Sequence, residues 1–302
     1  MRTPGRTTRR HTWPVAALGA LALTLTACAS LGGDDGATPA GGSGDVPADE
    51  ETARPPQLGE PALEIAHVGG FVPVGWDFLT VAELTLYPDG TAVTHGPTTL
   101  EYPGRMLPNL VTHDVPDDVV TALLAQAEEA GLLSEVEYGT PPVADAGATQ
   151  LTIRRDGDTW VHRAEALGIG GGPGEDGDGI AVEGLSEEER MARTTLSAFL
   201  EDVRASVADA EETGPWVPDA FAVMTRPVDP AAETADPAPT VHTWPLAQAP
   251  EECTVVDGED ATALAEMLTD ARANDRVEHD GEVLELWVRV LLPGDEGCAS
   301  TR

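Results

Sequence analysis

Three Asp-Gly pairs, Asp89-Gly90, Asp156-Gly157 and Asp280-Gly281, constrain the fold of this chain most strongly. An Asp-Gly pair between apolar/polar runs supplies the positive φ values that a tight hairpin turn demands. Residues 83–87 and 91–95 flank the first pair, with Pro88 beside it. Residues 150–155 and 159–166 flank the second, and the third leads into a long apolar run, 283–292, that contains Trp287. Each turn predicts an antiparallel hairpin. Parallel sheets need long crossovers instead.

Helix signals stand between the hairpins. Pro116-Asp117-Asp118 puts proline in a first turn and carboxylates at the positive end of a helix dipole. Val120, Leu123, Leu124 and Ala127 then share one face, and Gly131 stops the helix. Ser186 and Glu189 have capping-box spacing, and Ala192, Leu196, Phe199, Leu200, Val203 and Val207 follow at helical intervals. Further on, residues 221–224 predict a strand, 227–239 a loop and 241–246 a short strand. A last helix over about 259–272 carries Ala261, Leu264, Ala265 and Leu268 on one face. These elements predict an α+β fold, antiparallel hairpins packed with about three helices. The order strand, strand, helix, hairpin occurs around 81–166 and again around 219–292, which raises the possibility of two similar ββαββ halves.

The chain carries 53 Asp and Glu against 17 basic residues, a net charge of −36, and every one of those basic residues is Arg. Such an excess opposes binding to nucleic acid and to anionic headgroups. Without lysine there is no Schiff base, no Walker lysine and no Ser-Lys dyad. Abundant Ala, Gly and Pro with no Lys point to a GC-rich, actinobacterial kind of genome.

Arg2, Arg6, Arg9 and Arg10 precede an apolar run, 15–27, that is too short to cross a bilayer, where about 20 residues are needed. It has the length of a signal-peptide h-region. It closes on Leu25-Thr26-Ala27-Cys28, which resembles the lipobox of bacterial lipoproteins. That resemblance implies export, cleavage between Ala27 and Cys28, and acylation of Cys28 (palmitate among the acyl groups), giving a protein anchored at the extracytoplasmic membrane face. Thr8-Arg9-Arg10 raises a twin-arginine route, which His11-Thr12-Trp13 fits poorly, so the export route stays open. Cleavage would leave 13 Arg against 53 acids, a charge of −40. Residues 28–57 combine the lipidated cysteine with an acidic Gly/Pro/Ala stretch of tether composition, with an end-to-end reach of about 30 Å as a flexible coil. The expected organisation is a signal peptide (1–27), that tether (28–57), an N-terminal half (58–210) and a C-terminal half (211–302). Whether the halves form one domain stays open.

Only Cys253 and Cys298 remain after Cys28. Two cysteines in an exported domain are expected to pair, the alternative being two buried thiols; their spacing is not that of a C-x-x-C redox site. The crosslink would stabilise by about 4 kcal/mol in the chain-entropy model, less if strained.

Motifs for catalysis are missing. His67, His95, His113, His162, His242 and His279 form no H-x-x-x-H or H-E-x-x-H pattern, and no serine sits in a nucleophile elbow. Carboxylates abound, so a glycosidase-like pair can hide among them, yet abundance makes any chosen pair arbitrary. The glycine-rich loop 168–184 carries Glu175, Asp176, Asp178 and Glu183, hard donors that suit Ca²⁺. Its EF-hand register fails, because the fifth and sixth places from Asp176 are Ile180 and Ala181. A solvated loop of an acidic protein is the plain alternative. The apolar stretch 69–76, ending in Trp76, is either a lid folded on the core or a ligand-facing lip.

Leu84-Thr85-Leu86-Tyr87-Pro88-Asp89-Gly90, Leu107-Pro108-Asn109-Leu110, Ala130-Gly131-Leu132-Leu133 and the ending 288–298 resemble uncharacterised lipoproteins of high-GC Gram-positive bacteria. That likeness implies architecture and location and carries no activity. The expectation is a non-catalytic, monomeric cell-envelope module without cofactor or nucleic-acid partner, binding an envelope protein or small ligand. The alternatives are a carboxylate-dependent envelope hydrolase and a Ca²⁺-stabilised surface module.

Overall fold

In the computed structural model, all three Asp-Gly pairs turn the chain between paired antiparallel strands. Asp156 and Gly157 (φ 55° and 87°), and Asp280 and Gly281 (φ 50° and 83°), both take left-handed backbone, as a type I′ turn requires. At the first hairpin Gly90 alone is left-handed (φ 87°), and a Cβ there would stand 2.2 Å from the Val115 carbonyl oxygen. The structure describes residues 58–73, 75–169, 183–228, 237–250 and 252–299. Ala27, Cys28, the signal segment and the 28–57 tether lie outside the described residues.

The elements run β1 (Leu63–Val68), α1 (Trp76–Leu79), β2 (Leu84–Leu86), β3 (Thr91–His95), β4 (Leu110–Asp114), α2 (Asp117–Glu129), β5 (Ala148–Arg155), β6 (Asp158–Glu165), α3 (Glu187–Ala208), β7 (Glu211–Pro215), β8 (Ala220–Pro227), β9 (Val241–Thr243), β10 (Thr254–Asp257), α4 (Gly258–Leu268), β11 (Arg276–His279) and β12 (Glu282–Val290). The first sheet has the order β6-β5-β1-β2-β3-β4-β7 and the second β10-β8-β12-β11-β9. All pairings are antiparallel except β9 with β11. The fold is α+β.

Local signals set the helices. Ser186 and Glu189 form the full capping box, with the Ser186 side chain accepting from Glu189 N. Gly131 (φ 74°) follows the end of α2 in left-handed backbone. α2 and α3 lay Leu123, Leu196, Phe199, Leu200 and Val203 over Leu63, Ile65, Leu84, Leu86, Leu151 and Ile153 of the first sheet. Alternation sends other residues of the same sheet elsewhere. Tyr87, Val93 and Leu110 pack with Val223, Val288 and Val290 of the second sheet and with Ala261, Leu264 and Leu268 of α4. The neighbours of those strand residues, Ala222, Met224 and Trp287, surround Phe78 of α1 instead.

Several expectations change. The short α1 begins at Trp76, the last residue of the apolar stretch 69–76, and runs beyond it to Leu79. Glu211–Pro215, placed in the C-terminal half, pairs with β4 as the edge of the first sheet, so the sheets change over after Pro215. The halves share an element order but not a strand order: the second sheet inserts β12 between β8 and β11 and pairs β9 with β11 in parallel, which the first does not. Cys253 and Cys298 form a disulfide with Cα atoms 5.9 Å apart, tying the approach to β10 to the closing 3₁₀ turn Gly297–Ala299.

Candidate ligand cleft between the sheets

Where the two sheets part, an open cleft of about 500 Å³ remains, within the roughly 300–1,000 Å³ of small-molecule sites. One wall comes from the first sheet and α1: His67, Trp76, Leu79, Thr80, Val81 and Glu83. The other comes from His95, Arg105, Met106 and Pro108 in and after β3, with Ala273 and Val288 from the second sheet's side. Most of these side chains are apolar.

Packing explains why α1 stands at the lip. Phe78 is buried against Ala222 and Leu291. Gly75 (φ 86°) lies so close to the Trp287 ring that a Cβ there would fall 2.4 Å from it. Trp76 and Leu79 consequently point outward, 53% and 38% exposed. Trp76 therefore forms a lip, and no lid closes over the core at that residue. Phe71, in the same apolar stretch, is 88% exposed beside a neighbouring depression that shares His67 and Trp76.

The opposite wall is a strap. The proline-punctuated segment between β3 and β4 crosses to the turn after α4, where Met106 N donates to Ala271 O at 2.9 Å. Arg105 Nη1 donates to Thr269 O at 2.7 Å and to Asp270 Oδ1 at 3.0 Å. Buried Asp275 shapes that turn, accepting from Arg272 N, Thr240 N and His242 Nε2 at 2.8–3.0 Å. Burial alone would raise the Asp275 pKa, but the His242 bond and the two backbone bonds outweigh it and hold the group low.

Among the described residues Glu83 is the single carboxylate lining the cleft. Arg204 of α3 grips it with both ends, Nε to Oε1 at 2.5 Å and Nη2 to Oε2 at 2.9 Å. His67 Nε2 lies 2.8 Å from Oε2; a carboxylate only accepts, so the ring proton sits on Nε2. Burial would raise the Glu83 pKa, yet the bonds from Arg204 and His67 prevail and place it at about 2. A general acid or base works best with a pKa near the working pH. Glu83 is far from that.

The remaining histidines are dispersed. His162 is buried, with Nε2 at 2.7 Å from Leu132 O. That contact needs a proton on Nε2, so Nδ1 accepts from the Tyr138 hydroxyl at 2.9 Å. Burial lowers the His162 pKa, partly offset by Leu132, and raises that of Tyr138. The pair is a neutral packing contact of β6. Arg193, also buried, donates to the carbonyls of Tyr138 and Glu165 and holds the same corner. His113 bonds Thr94 at 3.0 Å, and His279 lies 3.6 Å from Asp280. Only His67 and His95 come together, on the cleft.

Of the proposed Ca²⁺ donors, Glu175, Asp176 and Asp178 lie outside the described residues, while Glu183 is exposed. Among the described residues no cluster of three or more His, Cys, Asp or Glu is arranged to hold a metal, and no helix is long and apolar enough to cross a membrane. Among the described residues the cleft lining holds one carboxylate, Glu83, and not the pair a glycosidase needs. Sequence inspection singles out Trp76 there but misses the Glu83–Arg204 pair, which meets across 121 residues, and Arg105, which reaches Asp270 across 165; neither carries a motif. No family model, curated protein or solved structure matches the chain.

Proposed function

We propose that this chain is a lipid-anchored binding module of the extracytoplasmic membrane face, with the inter-sheet cleft as its ligand site. One observation carries the site: an open, mostly apolar cleft with Trp76 and Leu79 presented at its lip, in a chain whose composition is strongly acidic. Exposed apolar surface of this kind costs free energy in water and marks ligand or partner sites. The lock on Glu83 favours binding over proton transfer. The hydrolase alternative needs two converging carboxylates, and the lining supplies one. The resemblance of residues 25–28 to a lipobox supports the anchor, and the composition of 29–57 supports a spacer that holds the domain off the membrane.

Two measurements test the proposal. In fractionated cells the protein should sediment with membranes, and Cys28→Ser should move it out of that fraction. Retention of the variant in the membrane would remove the anchor. Hydroxyl-radical footprinting on intact cells should protect Trp76 and Met106 relative to the purified chain and leave Met191, exposed on α3, unchanged. Equal labelling of Trp76 in both samples would mean that the cleft is empty in the envelope.

A further inference from the structure

We infer, resting on the cleft being the ligand site, that its occupant is a single-chain amphiphile: one apolar chain ending in an anionic group. The size argument comes first. About 500 Å³ is the liquid share of about 17 waters at roughly 30 Å³ each. A methylene occupies much the same space, so one chain of about 16 carbons matches the size of the cleft. Trp76, Leu79, Val81, Met106, Pro108 and Val288 supply the apolar contact.

Charge identifies the head. Across the chain, acids outnumber Arg and His together by 53 to 24. The cleft departs from that balance: among the described residues its lining sets Arg105 and the ring nitrogens of His67 and His95 against one carboxylate, Glu83, both of whose oxygens are already bonded. Arg105 spends Nη1 on Thr269 O and on Asp270. Asp270 is 91% exposed and so weakly coupled through water. Arg105 Nε and Nη2 and the ring of His95 have no hydrogen-bond partner among the described residues. An anionic head at the strap end meets these donors, whereas elsewhere an acidic surface repels it. A cationic head is repelled by Arg105, and a neutral hydroxyl accepts a weaker bond there than a carboxylate does.

The test uses the full chain carrying Cys28→Ser, so that no acyl chain of its own competes. Palmitate, hexadecanol and hexadecylamine compete for the site against the neutral fluorophore N-phenyl-1-naphthylamine. Palmitate should bind at least about tenfold more tightly than the other two, a gain of the size expected for a charge-assisted contact. Arg105→Gln with His95→Gln should erase that advantage, read as the ratio of palmitate to hexadecanol affinity within the same variant. Leu79→Asp, at the 38% exposed lip position, should abolish binding of the fluorophore and all three chains; circular dichroism checks that each variant is folded.

Equal affinity for palmitate and hexadecanol, with Leu79→Asp still abolishing both, overturns the anionic head and leaves the cleft standing. Failure of the fluorophore and every chain to bind, or binding indifferent to Leu79→Asp, overturns the cleft as well. Vesicles of phosphatidylglycerol separate the sources of the anion. Flotation of the protein with them while free palmitate fails would assign the head to a bilayer surface and overturn the single-chain inference.

Discussion

The two faces of the first sheet are closed in different ways. On one, α2 and α3 seal Leu63, Ile65, Leu151 and Ile153 under side chains that are local in sequence and spaced at helical intervals. On the other, Tyr87, Val93 and Leu110 meet a second sheet brought in by turns, a strap and a disulfide, and beyond that contact the walls part. An amphipathic helix adjusts its stripe to a sheet and closes it. Two sheets that meet only over part of their area leave a space between them. Here that space is mostly apolar, with Trp76 at its lip and a locked carboxylate in one wall.

Removing the crosslink should break the comparison most severely. Cys253→Ser with Cys298→Ser costs up to about 4 kcal/mol in the chain-entropy model. Hydrogen exchange should then accelerate first in β8, β10 and β12, while β5 and β6 under the helices stay protected. Uniform acceleration would show the two sheets opening as one unit.

Leu200→Ala probes the sealed face. Its side chain is 1% exposed, so truncation should cost about 3 kcal/mol in urea melts. A loss below about 1 kcal/mol would mean that the helix layer repacks freely, against the picture of a tight seal.

Glu83→Gln tests the locked carboxylate in the wall of the open face. The group is partly exposed, so the expected loss at pH 7 is about 1–2 kcal/mol, between the values for surface and buried pairs. The folded pKa of about 2 lies below the ordinary 4.5, so the carboxylate's contribution is full above about 4.5. It fades as pH falls from there through about 2. The stabilities of wild type and variant should converge over that window. A gap that persists unchanged down to pH 2 would contradict the ion pair.

These differences also explain what a sequence discloses. The hairpins at Asp89, Asp156 and Asp280, the capping box at Ser186 and the stop at Gly131 are written within a few residues, and all are present. β1 is buried at five of six positions, so it lacks the alternation that betrays a half-buried strand. β7, Glu-Glu-Thr-Gly-Pro, has no apolar face and survives as an edge strand paired with β4, with proline at its end. The cleft is harder still. Glu83 and Arg204 lie 121 residues apart, and Arg105 reaches Asp270 across 165. Such pairs follow from how the sheets stack, which no local period encodes. Trp76 stands out alone because an apolar residue in a glycine-rich stretch lacks a partner nearby in sequence.

The central claim is that the open face is a binding site while the sealed face is structural. Titration of the Cys28→Ser chain with N-phenyl-1-naphthylamine tests it most directly, comparing Leu79→Asp at the lip with Met191→Asp on the exposed side of α3. Met191 is 57% and Leu79 38% exposed, so Met191→Asp should alter stability by less than about 0.5 kcal/mol and Leu79→Asp by about 1 kcal/mol. The account predicts saturable fluorescence enhancement that Leu79→Asp abolishes and Met191→Asp leaves unchanged. Equal binding by the two variants, or none by the parent chain, would contradict it.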